Sequence, residues 1–98
     1  MSSANKPTLL FSRHAVSQMF ARSITPDDVV SVVTQGDVIA SYPDEEPYPK
    51  RLLFGRLATG PLHVVVADDT SAALSIVVAT YRPDPEQWES DWRTRRRP

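Results

Sequence analysis

Apolar and polar positions change period along this 98-residue chain, and each change predicts an element. Leu9, Leu10 and Phe11 form a short apolar run after a polar start, and Ser12 follows as an N-cap. This predicts a brief strand and then a helix over Arg13 to Arg22. On that helix Val16, Met19 and Phe20 share one face at i, i+3, i+4, with Ile24 just beyond, which is the spacing of a buried stripe. His14, Gln18 and Arg22 fall at successive i, i+4 steps and make a polar row opposite it. A second helix starts at Thr25 as N-cap, Pro26 at N1 and Asp27-Asp28 in the first turn. Val29, Val30, Val32 and Val33 supply its apolar face, and Gly36 is placed to close it as a left-handed residue.

From Asp37 the period becomes two. Val38 to Tyr42, Arg51 to Leu57, Leu62 to Ala67 and Ala73 to Tyr81 read as strands. The segment Pro43 to Pro49, with three prolines and three acids, reads as a stiff exposed loop. Short turns at Thr59-Gly60 and Asp68 to Ser71 make successive strands antiparallel. Asp84-Pro85-Glu86-Gln87 opens a last helix, with Trp88 and Trp92 as its buried edge. The fold class expected is α+β: two N-terminal helices packed on an antiparallel sheet of four to five strands, with a short C-terminal helix. Residues 1–7 are expected to form a flexible N-terminus, 8–92 a single domain and 93–98 a basic tail.

Composition narrows the function. Lys plus Arg 11 against Asp plus Glu 12 leaves a net charge of −1, which argues against binding nucleic acid by bulk charge, so any such role needs a local patch. Zero Cys removes disulfides, thiol nucleophiles and thiolate metal sites. Two His 49 positions apart carry no ligand spacing, so neither metal nor cofactor is expected. Without an apolar leader or a membrane-length run, the expected location is cytoplasmic, away from membranes.

In order and spacing, several short motifs resemble a bacterial family of uncharacterised domains, domain of unknown function 4258. They are His14, Met19, Arg22, Ile24, Asp28-Val29 and Gly36; Tyr42 before the acidic loop; Pro61 to Val65; and Thr80-Tyr81, Pro83-Asp84 and Trp88. Ser23 departs from the pattern, which favours Gly there. The helix-helix-sheet plan is similar to that of RelE/ParE-like toxins, including BrnT-type ribonucleases. That likeness implies an RNA endonuclease acting on single-stranded or ribosome-bound RNA and silenced by an antitoxin protein.

The residues offer matching candidates and plainer alternatives. RNA cleavage without a metal needs a base, an acid and cations around the phosphate. His14 and His63 are the groups that titrate near neutrality, and Arg22 has a fork suited to phosphate. Arg51, Tyr81 and Arg82 would contact RNA through phosphate pairing and base stacking. Against these stand a structural His63 hydrogen-bonded among apolar neighbours, a solvated or ion-paired helix row, and a Tyr81 packed under the last helix. The alternative function is a non-catalytic protein-interaction module using an exposed sheet edge or the acidic stretch from Asp27 to Glu46, with a homo-oligomer as one outcome. Convergence of His14, Arg22 and His63 on one concave spot separates the two readings.

Overall fold

The computed structural model describes residues 7–97, so all but Pro7 of the N-terminal segment expected to be flexible lies outside the described range. Seven elements follow in order: β1 (Thr8–Phe11), α1 (Arg13–Arg22), α2 (Pro26–Gln35), β2 (Asp37–Tyr42), β3 (Lys50–Leu57), β4 (Gly60–Asp69) and β5 (Leu74–Tyr81). The strands form one five-stranded sheet in the order β1-β5-β4-β3-β2. Strands β2 to β5 are an antiparallel meander, as their short turns require. β1 is the exception to the expected antiparallel sheet: it lies parallel to β5, a pairing that the long connection through α1, α2 and β2 to β4 permits.

The helix starts follow the sequence. The Ser12 hydroxyl accepts the Ala15 amide at 3.0 Å. Thr25 and Asp28 form a reciprocal capping box, each side chain accepting the other's backbone N–H at 3.1 Å. The ends differ from expectation. Ser23 supplies the left-handed residue that closes α1, at φ 56° and ψ 42°. Gly36 is extended, at φ −78° and ψ 179°, because the chain passes straight from α2 into β2. Its missing side chain serves close approach instead: a Cβ there would lie 2.5 Å from the Val32 carbonyl oxygen and 2.6 Å from that of Phe54.

Both helices cover one face of the sheet. Ala15, Met19, Ile24, Val29 and Val32 pack on Leu53, Leu62, Val64, Val66 and Val77, with Leu9 and Phe11 at the margin. Burying each large apolar side chain contributes roughly 1.5–3 kcal/mol. α1 is turned by about 100°, one residue step, from the expected orientation. Ala15 and Met19 face the core, Gln18 is half-buried beside them, and Val16 and Phe20 are 38% and 84% exposed. The small Ala15 allows the helix to approach the sheet closely, and the larger apolar pair is left outside.

The expected C-terminal helix is absent. Asp84 makes a single turn, its carbonyl accepting the amides of Gln87 and Trp88 at 2.9 and 3.0 Å, and the chain then doubles back. Trp88 pairs with Arg95, and Glu89 N donates to Thr94 O at 2.8 Å. Asp91 accepts the amides of Arg93 and Thr94 at 2.9 and 3.1 Å, a local side-chain competitor that favours a turn over a helix. Trp92 sits there at φ 62°, so Trp88 is buried and Trp92 only half-buried, and they share no helix edge. This hairpin-like clasp holds most of the segment read as a tail: Arg93 pairs with Asp37, and Arg96 donates to Pro85 O at 2.7 Å.

Candidate functional site

Register assigns each candidate to a side of the sheet, since directly paired residues share a face. Val66 faces the helices, and so does its partner Arg51; Phe54, His63 and Tyr81 are paired in a row on the outer face. His63 is fully buried there. Its ring meets Phe54, Tyr81 and Trp88 edge-on at centroid distances of 5.8, 5.3 and 4.5 Å. Nε2 donates to the Trp92 carbonyl at 2.7 Å, since a carbonyl only accepts, and Nδ1 accepts from the Tyr81 hydroxyl at 3.3 Å. Burial pushes the imidazole pKa below 6.5, against the opposing pull of the Trp92 carbonyl. His63 is therefore neutral at pH 7, and both ring nitrogens are occupied, Nε2 in holding the clasp and Nδ1 in bonding Tyr81 of β5.

His14 and Arg22 lie on exposed parts of α1, on the other side of the sheet. The expected spot shared with His63 is not formed. Between them Gln18 turns inward, its Oε1 accepting the Thr80 amide at 2.9 Å. β1 reaches only to Val77 of β5, and beyond it the Ser12 hydroxyl binds Val78 O and Gln18 takes the next free donor. The polar row thus includes a side chain that fastens α1 to the sheet.

Arg51 forms a two-pronged ion pair with Asp68, Nε to Oδ2 at 2.7 Å and a second bond at 3.1 Å. Burial acts to raise the Asp68 carboxyl, but hydrogen bonds from Arg51 and Ser75 and the Arg51 charge outweigh it and hold it below its ordinary range. Arg51 and Tyr81 lie on opposite faces, so the expected RNA contacts are not assembled from these two. Tyr81 is half-buried; burial and the neighbouring Tyr42 raise its pKa, against Arg95, which lowers it. Arg82, just past β5, has a buried guanidinium nitrogen without a hydrogen-bond partner among the described residues. Three cations that no sequence spacing ties to an aromatic ring lie against one: Arg56 and Arg93 are 5.7 and 5.2 Å from the Phe54 ring, and Arg95 is 5.4 Å from that of Trp88.

An apolar groove lies elsewhere. A groove of about 520 Å³ runs along α1 into the turn before α2, lined by Phe11, Val16, Met19, Phe20, Ile24 and Pro26. It exists because α1 buries Ala15 instead of Phe20. The sequence carries a partial signal: Ala15, Val16, Met19 and Phe20 make a broad apolar stripe, of which only Ala15 and Met19 are buried.

The family model described as a domain of unknown function, DUF4258, matches residues 11–82. The chain belongs to the DUF4258 family. In this DUF4258 domain the match takes in all of α1, α2 and β2 to β5, and it ends just before the clasp that covers His63. No curated protein and no solved structure matches the chain. Among the described residues no group of three His, Asp or Glu side chains could hold a metal ion, and no helix is long and apolar enough to cross a membrane.

Proposed function

We propose that this DUF4258 domain is a non-catalytic protein-interaction module whose binding surface is the groove on α1. One observation carries the reading: Phe20, 84% exposed, stands over an apolar groove that reaches Phe11 on the edge strand β1. In so small a domain an unburied Phe forgoes roughly 1.5–3 kcal/mol, and exposed apolar patches of this kind mark partner sites. The separation of His14 and Arg22 from His63 supports the same reading, because proton transfer requires groups within hydrogen-bond reach of one reacting centre.

A RelE/BrnT-like RNA endonuclease is the second reading, favoured by Tyr81 and Arg95 both adjoining the outer-face aromatic cluster, Tyr81 against His63 and Arg95 against Trp88. Under it an antitoxin or RNA would be the partner. The two readings part on high-level induction in a bacterial host, with growth and RNA integrity followed against a Tyr81→Phe variant. The module leaves growth and RNA unchanged. Growth arrest with RNA cleavage that the variant loses would overturn the module in favour of the nuclease.

A further inference from the structure

We infer that the occupant of this groove is a second copy of the chain, with the two α1 helices antiparallel across a two-fold axis and Arg13 of each copy facing Asp27 of the other. The inference rests on the interaction-module reading and names its partner. Three features of the patch carry it. Arg13, Val16 and Phe20 lie at i, i+3, i+7 along one line of α1, so Arg13 stands at the end of the groove where the helix begins. Asp27 follows the groove residue Pro26 and stands at the other end. Neither has an ion-pair partner among the described residues, whereas the neighbouring Asp28 is committed to the Thr25 amide.

An apolar centre with one cation and one anion at its opposite ends is complementary to its own antiparallel copy, as a two-fold contact requires. The protruding Phe20 adjoins the space it would fill between Phe11, Val16 and Ile24 of the partner, so projection and recess are carried by the same patch. A net charge of −1 gives the copies little long-range repulsion.

Sedimentation equilibrium on the purified full chain tests this, with far-UV circular dichroism and thermal unfolding as controls for the fold. Wild type is expected to dimerise in the micromolar range. Phe20→Asp removes two buried rings per dimer and weakens association on the order of a hundredfold or more. Because Phe20 is exposed in the monomer, the variant keeps the wild-type circular dichroism and melts with wild type at concentrations too low for dimerisation, whereas at dimerising concentrations wild type melts higher; Val16→Lys is a second probe of the same surface. Arg13→Asp and Asp27→Arg each dimerise poorly alone, since each places like charges opposite one another twice. Mixed together they form a heterodimer in which both pairs are attractive. A wild type that stays monomeric to high micromolar concentration, a dimer indifferent to Phe20→Asp, or a mixture that fails to recover association overturns the two-fold proposal. A monomer that leaves RNA intact on induction defeats this inference without touching the module reading, and RNA cleavage defeats that reading itself.

Discussion

Ser23 carries the turn between the two helices in a conformation that crowds its Cβ against the backbone, at φ 56°. Glycine adopts it freely, so Ser23→Gly is expected to stabilise the domain by about 0.5–1 kcal/mol after allowance for its greater unfolded-state entropy, read as a rise of a few degrees in Tm. Gly36 shows the opposite logic. It needs no left-handed freedom, but backbone oxygens of Val32 and Phe54 occupy the place of a Cβ. Gly36→Ala therefore has to separate α2 from β3, at about 1–3 kcal/mol of stability in denaturant unfolding. Both glycine arguments concern one atom, but only the first could be framed from sequence, as a departure at Ser23. The second depends on β3 passing close to the end of α2.

At the scale of elements, both helix starts, the strand-turn periodicity and the acidic proline loop were legible, because caps and period-two patterns are local chemistry. The orientation of α1 was not. Val16, Met19 and Phe20 satisfy the rule for a buried face as well as Ala15 and Met19 do, and the choice fell to Gln18, whose amide oxygen completes the open edge of β5. The C-terminal segment failed for a related reason. Asp84, Pro85 and Gln87 carry the start signals of a helix, yet Asp91 captures the amides of Arg93 and Thr94 and Trp88 docks on His63. Asp91→Ala is expected to loosen this clasp alone. Amide exchange should accelerate at Glu89, which donates to Thr94, while the amides of β3 to β5 keep their protection.

For the whole molecule, the buried His63 joins three elements and the clasp through one neutral ring. Its folded pKa lies below the unfolded 6.5, so the unfolded chain binds the extra proton first as pH falls. The stability it contributes is complete above 6.5 and is lost as pH drops toward the folded pKa. Thermal unfolding should show Tm declining below pH 6.5, before the carboxylates titrate, and His63→Gln should flatten that part of the profile while lowering Tm at neutral pH. The candidate site divides along the same line. Residue types and spacing marked His14, Arg22, Arg51, His63, Tyr81 and Arg82 as capable of RNA chemistry. The pairing of strands sends Arg51 to one face and His63 and Tyr81 to the other, and the side on which the helices pack sends His14 and Arg22 away from His63. The α+β class, the starts of α1 and α2 and the near-neutral charge were legible in the sequence by itself because they follow from local geometry and from counting. Tertiary structure alone decided which apolar stripe of α1 is buried, which groups meet and what stays exposed. Those outcomes depend on register between strands distant in the chain, and no local pattern encodes that register.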